Sequence, residues 1–236
     1  MVIFSFLSRG VYGELIWDFS LEAWGRAFEP VQMQVILNSV WLAMFTAAAT
    51  VALGILMAWC VATAPARWRS FLITLMTIPF LTNLIIRVFA LKSFLGVEGP
   101  VQYLLTILAI PFDPFALSAN SILVYVGMVL TYLPFATLPL YSALERFDFS
   151  LIEAAQDLGA GQGRVFFTVL IPALRGAFGV AALLVFVPAL GEYVVPDLLG
   201  GAKSIYFGNF ITEQFLKMRN WPLGASSAVV MMGLML

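Results

Sequence analysis

Long apolar stretches separated by short polar segments dominate this chain. A bilayer core about 30 Å thick is crossed by about 20 residues of α-helix. We predict four complete spans from this length, covering residues 38–64, 71–91, 122–144 and 176–195. Prolines lie inside three of them, and membrane helices tolerate proline when neighbouring groups satisfy the freed carbonyls, so Pro79 should kink its span rather than end it. The pattern is that of an all-α integral membrane protein.

Both ends of the sequence are also apolar. Residues 1–7 are too few to cross a bilayer, and residues 223–236 are uncharged but have no basic flank. We interpret these ends as truncated parts of two further spans, so that the chain is a single transmembrane domain of about five to six helices over residues 1–236. No basic region precedes the first apolar run, which argues against a secretory signal peptide.

The composition agrees with a membrane location. Hydrophobic residues make up 62% and charged residues 11% of the chain, against about 45–50% and about 25% in soluble domains. So few charged groups cannot cover a surface in water. The net charge of −1 gives no basic excess of the kind that nucleic-acid binding requires.

The absence of histidine and the single cysteine exclude several classes of enzyme. The chain has no histidine, which removes Ser-His-Asp hydrolases, HExxH metalloproteases and most zinc sites. The single cysteine, Cys60, lies in an apolar run and is typical of a small packing residue. An intramembrane aspartyl enzyme needs two facing aspartates, and none of the four complete spans contains one. An enzyme is therefore disfavoured, and a channel or a transporter is left.

The polar segment between the third and fourth spans, residues 145–172, has a local design of its own. Ser150 and Glu153 have the spacing of a capping box, in which each side chain bonds the backbone N–H of the other. We predict a helix from Ser150 to Leu158, followed by Gly159 in the left-handed conformation that ends many helices. A second short helix ends near Pro172, so the segment is a helix–turn–helix elbow. On these residues alone, Glu153 is a helix cap in an ordinary loop.

The spacing of this elbow resembles a known motif. Glu153-Ala154-Ala155, Gly159 and then Val169-x-Ile171-Pro172 are similar to the EAA motif of ABC-transporter permeases, in which Val169 and Ile171 replace the usual Ile and Leu. The resemblance implies a type I ABC importer permease fold whose elbow is a cytoplasmic coupling helix that docks on an ATP-hydrolysing subunit. It assigns the docking contacts to these residues: Glu153, Ala154, Ala155, Asp157 and Gly159.

Four more segments resemble the spermidine/putrescine branch of these permeases: residues 78–87, 138–145, 197–203 and 220–224. The resemblance implies that the chain is a permease subunit for spermidine or putrescine uptake. Permeases for iron, sulfate and thiamine share parts of the same segments, so another small solute is the alternative, and a channel is a more distant one.

The energy source must lie outside this chain. The nearest sequence to a P-loop, Ala202-Lys203-Ser204, lacks the glycine before the lysine, so we expect neither catalysis nor a cofactor in the chain itself. The resemblance implies an ATPase dimer that binds ATP and Mg²⁺, a second permease subunit, and a periplasmic or surface substrate-binding protein. It also implies a multi-pass position among the lipids of a bacterial inner membrane, with residues 8–37, 87–121 and 196–222 outside.

Polyamines are flexible polycations, which carboxylates attract by charge and aromatic rings attract by cation–π contact. Glu192, Tyr193 and Asp197 follow the fourth span and are the best candidates for substrate contact, because charged groups at membrane depth are costly and tend to be functional. The other interpretation is that Glu192 is merely interfacial and that Asp197 caps a helix. Weaker candidates for the substrate path are Asn83, Tyr132 and Trp41.

Overall fold

The structure is a computed structural model of the chain, and it describes residues 1–10, 13–95, 99–107, 122–200 and 205–235. The P-loop look-alike Ala202-Lys203-Ser204 and the last residue of the expected final span, Leu236, lie outside the described residues.

The apolar stretches form the longer helices. They are α2 (Pro30–Ala62), α3 (Ala66–Leu81), α4 (Leu84–Leu95), α6 (Ile122–Glu145), α10 (Arg175–Leu190) and α13 (Trp221–Met235). Shorter helices occupy the polar segments: α1 (Glu22–Ala27), α5 (Pro100–Ile107), α7 (Ser150–Asp157), α8 (Gln162–Val165), α9 (Ile171–Ala173), α11 (Val194–Leu199) and α12 (Phe207–Leu216). Between α8 and α9, residues Phe166–Leu170 form a π-helical turn.

Two of the described helices, α2 and α6, are each long and apolar enough to cross a membrane, with mean hydropathies of 2.1 and 1.7. The number rises to four if each of two bent pairs counts as one span. One pair is α3 with α4. The other consists of Gln162–Ala173 and α10, which meet at 73°.

The predicted second span is divided, and the division does not lie at Pro79. Helix α3 continues through Pro79 to Leu81, and α4 begins at Leu84. The Thr82 hydroxyl donates a hydrogen bond to the Pro79 carbonyl at 2.9 Å, while the Thr82 backbone is extended. This bond satisfies a carbonyl in the last turn of α3, where carbonyls lack intrahelical partners. The helix therefore passes through Pro79 and ends at Leu81, two residues beyond the proline.

The expected tail of a membrane helix at residues 1–7 is wrong. Ile3–Phe6 form a single 3₁₀ turn, and Leu7–Arg9 form strand β1, which pairs antiparallel with β2 (Leu15–Phe19). A helix this short gains too few hydrogen bonds to offset its nucleation cost. The aromatic and β-branched residues of β2 favour a strand, so apolar character alone predicted the wrong element here.

The described residues form two compact units. The first unit consists of Met1–Met44, Ile85–Met128 and Val187–Leu236. Its buried core includes Val88, Val124, Met128, Val195 and Phe207, each at most 1% exposed. Within this unit, the Phe207 N–H donates to the Ser39 hydroxyl at 2.7 Å, which ties the start of α12 to α2.

The second unit consists of Phe45–Leu84 and Val129–Phe186. Ala58, Ala136, Leu140, Ala181 and Val185 are all fully buried in it. The small residues allow close approach of helices, which is how membrane helices pack without a hydrophobic driving force between them. Cys60, predicted to be a packing residue, is exposed and lines an apolar cleft of about 460 Å³ between α2, α3 and α6.

Candidate functional site

The elbow begins with a cap that differs from the predicted one. The Asp148 carboxylate accepts a hydrogen bond from the Ser150 N–H at 3.0 Å, and the Glu153 N–H bonds the Phe149 carbonyl at 3.3 Å. The predicted capping box between Ser150 and Glu153 is wrong, because no side chain bonds the helix start in that way. Phe149 already has helical backbone angles, so the helix begins earlier and Asp148 takes the capping position.

This cap changes the acidity of Asp148. Hydrogen bonds from Ser150, first through its side chain and then through its backbone, lower the pKa of the Asp148 carboxyl below its ordinary value. The cause is that both bonds stabilise the ionised form. The carboxylate is fully exposed, and its charge also lies near the positive end of the α7 dipole. The sequence signal for this cap was present, since aspartate is a preferred N-cap residue.

The other end of α7 has the predicted conformation. Gly159 has a φ of +81°, in the left-handed region. The Gly159 N–H bonds the Gln156 carbonyl at 2.8 Å, and the Ala160 N–H bonds the Ala155 carbonyl at 3.1 Å. These two bonds are the Schellman arrangement, which satisfies the last carbonyls of a helix. The predicted role of Gly159 in ending the helix is confirmed.

Helix α7 presents different chemistry on its two sides. Ile152 and Gln156 line a cavity of about 260 Å³ together with Trp59 and four residues of the following segment: Gln162, Val165, Phe166 and Leu170. On the other side, Leu151 is 50% and Leu158 is 89% exposed. Residues seven apart lie on one helix face, so these leucines form one apolar strip.

The five residues that the resemblance assigned to docking lie on this short helix and the turn that ends it. Glu153, Ala154, Asp157 and Gly159 are exposed, and Ala155 is half-buried. No residue of α7 is buried. The five are therefore accessible but do not share one face: with about 3.6 residues per turn, Ala154 and Ala155 lie beside the apolar strip, whereas Glu153 lies on the side of α7 opposite Leu151. Such a surface suits a protein partner, because exposed leucines at this density are costly to leave in water.

The segment after α7 is bent more sharply than the sequence predicted. The π-helical turn Phe166–Leu170 follows α8, and a 73° bend occurs at Leu174, just before α10. The motif residues Val169, Ile171 and Pro172 all lie in this bent region. Single π turns are frequent at functional sites. The sequence carried no signal for this turn other than the proline.

The outer candidates Glu192, Tyr193 and Asp197 lie together in the first unit, because α10 ends at Leu190 and α11 begins at Val194. The Glu192 carboxylate accepts a hydrogen bond from the Val194 N–H at 2.8 Å. The predicted fourth span, 176–195, therefore ends earlier than expected. Glu192 caps the next helix. The sequence alone had suggested Asp197 for this role.

Two further residues hold this cluster in place. The Asp197 N–H bonds the Tyr193 carbonyl at 2.9 Å, and the Asn209 side chain donates to the same carbonyl at 3.2 Å. A Cβ at Gly208 would lie 2.8 Å from the carbonyl oxygens of Gly191 and Glu192, so only glycine permits this approach. The hydrophobic and polar pattern of the sequence did not indicate that Asn209 and Gly208 support this cluster, because the residues that they contact are distant in the sequence.

The weaker path candidates are in different surroundings. Tyr132 is 5% exposed and its ring lies 5.7 Å from that of Phe135, and Asn83 is exposed between α3 and α4; both belong to the second unit. Trp41 belongs to the first unit and is 64% exposed on α2. Tyr132 is thus a packed core residue, while Asn83 and Trp41 are accessible.

Comparison with known proteins identifies the family. Residues 50–236 match the family described as "Binding-protein-dependent transport system inner membrane component". The chain is 37% identical over 235 residues to the spermidine/putrescine transport system permease protein PotB of Escherichia coli (strain K12), covering 98% of this chain and 86% of the relative. It is 36% identical over 225 residues to PotB of Haemophilus influenzae (strain ATCC 51907 / DSM 11121 / KW20 / Rd), covering 95% and 79%.

The fold is also that of a solved transporter. A crystal structure of the bacterial alginate ABC transporter in complex with alginate pentasaccharide-bound periplasmic protein matches with a TM-score of 0.69 at 14% identity. The match covers 92% of this chain and 79% of that one. At this identity the likeness concerns the fold alone, and it confirms the predicted all-α membrane fold of ABC importer permeases.

The chain belongs to the family of binding-protein-dependent transport system inner membrane components. It is a permease subunit of an ABC importer, located in a membrane and acting with other ABC transporter subunits. It is not catalytic on its own, because transport in this class is driven by a separate ATPase.

Proposed function

We propose that this chain is a permease subunit for the uptake of spermidine and putrescine. The observation that carries the proposal is the 37% identity, over 98% of the chain, to a permease named for those two substrates. The outer cluster supports it, because Glu192 and Asp197 supply carboxylates and Tyr193 supplies a ring that is 46% exposed. These are the groups that attract ammonium ions.

The proposed path places substrate first at Glu192, Tyr193 and Asp197. The last carbonyls of α10 point toward this break and add negative potential, since a helix C-terminus carries about half a negative charge. Asn83 and Trp41 are accessible and are retained as secondary path residues. For Tyr132 we favour a packing role, because its ring is buried against Phe135.

Coupling to ATP hydrolysis is assigned to the elbow. The exposed surface of α7 and its turn would dock on an ATPase subunit that binds ATP and Mg²⁺. This surface carries the strip of Leu151 and Leu158 together with the motif residues: Glu153, Ala154, Ala155, Asp157 and Gly159. The Asp148 cap and the Gly159 turn support this role because they hold α7 rigid at both ends. A rigid helix transmits displacement, whereas a frayed one absorbs it.

The complete transporter in this proposal contains a second permease subunit, an ATPase dimer and an extracytoplasmic substrate-binding protein in a bacterial inner membrane. The elbow faces the cytoplasm, and the segments before α2 and after α10 face outward. ATP binding closes the ATPases and shifts the population of permease conformations, because the closed dimer holds the two elbows better in one state than in the other.

Uptake into vesicles tests the substrate. The assembled transporter, reconstituted with its binding protein and ATP, should accumulate labelled spermidine or putrescine, and iron, sulfate and thiamine should not compete. Uptake of one of those three solutes, without uptake of either polyamine, would assign the chain to another solute. Polyamine flux without ATP would make it a channel.

Co-purification tests the docking surface. Leu158→Ser should reduce recovery of the ATPase with the permease, because Leu158 is 89% exposed on the proposed docking face. Leu216→Ser is the matched control, since Leu216 is 75% exposed at the end of α12, away from the elbow in sequence and in the other unit. Equal recovery of the ATPase from both variants would remove α7 as the dock.

A further inference from the structure

The segment from β2 to the start of α2 carries large apolar side chains on its surface. Trp17 is 78%, Phe19 is 71%, Phe28 is 54% and Val31 is 73% exposed. Large apolar side chains exposed at this density within one short segment indicate a contact with another protein or with a membrane. No residue of this segment belongs to the elbow or to the outer acidic cluster.

Two of the exposed rings, Phe19 and Phe28, lie at the two ends of a continuous aromatic row. Phe19 stacks on Phe6 with 5.7 Å between ring centroids, Phe6 lies 5.6 Å from Trp24, and Trp24 lies 6.4 Å from Phe28. The row ends two residues before Pro30, where α2 begins. It therefore leads from the hairpin directly to the point at which the chain enters its longest apolar helix.

The row is fastened to the rest of the first unit. Arg9 Nη2 donates to the Met218 carbonyl at 2.7 Å, and the Ser226 hydroxyl donates to the Ala23 carbonyl at 3.2 Å. Ala27 is 2% exposed. These contacts fix both the hairpin and α1 on the region around α13, so the exposed rings have a defined position.

We infer that residues 15–31 form an interfacial anchor, with Trp17, Phe19 and Phe28 inserted among the lipid headgroups at the membrane surface where α2 begins. Val31 lies in the first turn of α2, so the patch continues onto the exposed surface of a membrane-spanning helix. Tryptophan and other aromatic residues favour this interface because it accommodates both their apolar rings and their polar groups.

A substrate-binding protein fits this patch less well. A partner that associates and leaves in each transport cycle would return the rings to water every time, at the full cost of exposing apolar surface. The bilayer covers them permanently. The polar residues of the same region line a separate cavity of about 300 Å³, with Arg9, Glu22 and Arg26 among them. We expect this cavity to be filled with water.

The charge of the anchor sets its lipid dependence. Residues 15–31 contain Asp18, Glu22 and Glu29 against Arg26, so they have no basic surplus with which to attract anionic headgroups. The contact is therefore made by aromatic and apolar groups, and anionic lipid should not strengthen insertion.

Spin labels in the full chain, assembled with its partner subunits in nanodiscs, test the anchor. Cys60 is the single cysteine, so Cys60→Ser gives a background into which Trp17→Cys, Phe19→Cys and the control Glu22→Cys are introduced. Oxygen partitions into lipid, whereas a nickel chelate stays in water. We expect the oxygen-to-nickel collision ratio to be several-fold higher at positions 17 and 19 than at 22. The ratio at positions 17 and 19 should not rise when phosphatidylglycerol replaces part of the phosphatidylcholine.

Three results would overturn the inference. Labels at 17 and 19 that behave like the label at 22 would place the rings in water. Labels shielded from both reagents would place them under another protein subunit. A collision ratio at positions 17 and 19 that changes only when the substrate-binding protein is added would make the patch a docking surface for that protein. Brominated lipid should also quench the tryptophan fluorescence of the wild type more than that of Trp17→Phe, a variant that keeps an aromatic ring. Equal quenching of the two proteins would count against the anchor independently of the spin labels.

Discussion

The Ser39 hydroxyl accepts a hydrogen bond from the Phe207 N–H at 2.7 Å, although the two residues are 168 positions apart. Ser39 is 2% exposed and Phe207 is 1% exposed. The same hydroxyl donates to the Val35 carbonyl at 3.0 Å. One side chain on α2 thus satisfies the first backbone donor of α12.

Removal of this hydroxyl should destabilise the first unit. Ser39→Ala leaves the buried Phe207 N–H without an acceptor, which costs about 1–3 kcal/mol. The thermal midpoint of the purified permease in detergent should fall. Thr63→Ala is the control, because Thr63 is exposed and its hydroxyl bonds a carbonyl that the Thr63 N–H also satisfies. An equal fall in both variants would contradict the prediction.

Gly208→Ala should also lower the thermal midpoint. The added Cβ would lie 2.8 Å from the carbonyl oxygens of Gly191 and Glu192, and forcing such an approach costs about 1–3 kcal/mol. At Gly25, no heavy atom of the described residues lies within 4 Å of an added Cβ, apart from the adjoining backbone of its own helix. Gly25→Ala should therefore keep the wild-type midpoint or exceed it. An unchanged midpoint for Gly208→Ala would show that the two backbones separate easily.

Gly159→Leu should abolish transport while the amount of permease in the membrane stays normal. An L-residue at a φ of +81° is strained by about 1–2 kcal/mol, and the new side chain would stand on the proposed docking face. Apart from its chain neighbours, no heavy atom of the described residues lies within 4 Å of a Cβ there, so the described part of the chain has room for it. Gly159→Asn, which tolerates this conformation, should keep more activity. Normal uptake by Gly159→Leu would disprove the role of this turn in coupling.

The Asp148 cap should make the start of α7 sensitive to acid. Its folded-state pKa is lowered, so the stabilisation is complete above the unfolded value of about 3.9 and is lost as the pH falls from there through the folded pKa. Hydrogen-exchange protection of the first α7 amides, corrected for intrinsic rates, should decline over that interval. Asp148→Asn keeps a capping oxygen without the ionisation, and a decline of the same size in that variant would assign the effect to another group.

Glu192→Gln should separate capping from substrate attraction. Glutamine retains an oxygen that can accept the Val194 N–H bond, seen at 2.8 Å, so the thermal midpoint should not change. Loss of the charge should raise the KM for spermidine by about ten- to a hundredfold, since one charge-assisted hydrogen bond contributes about 1.5–3 kcal/mol. Glu192→Ala loses both functions and should be less stable as well. A wild-type KM for Glu192→Gln would leave Glu192 with the capping role alone.

The sequence by itself determined the membrane character, the approximate position of the long helices and the elbow with Gly159 at its turn. These follow from local quantities: hydropathy summed over a bilayer width, and the need for a residue that accepts positive φ. The motif spacing in residues 153–172 was likewise readable along the chain, because docking residues on one short helix are neighbours in sequence.

Only the tertiary structure decided where these elements begin and end. It replaced the Ser150–Glu153 box with the Asp148 cap, turned residues 1–7 from a helix tail into a turn and the start of a strand, and moved the break in the second span to Thr82. It also placed Glu192 as the cap of α11 and joined Ser39 to Phe207. The caps are bonds between near neighbours in sequence, and more than one side chain near each helix start can form such a bond, so the folded backbone decides which one does. The Ser39–Phe207 bond joins residues 168 positions apart, and no pattern along the chain records it. Apolar pattern selects the elements, and the satisfaction of backbone groups in the folded chain then selects where they begin and end.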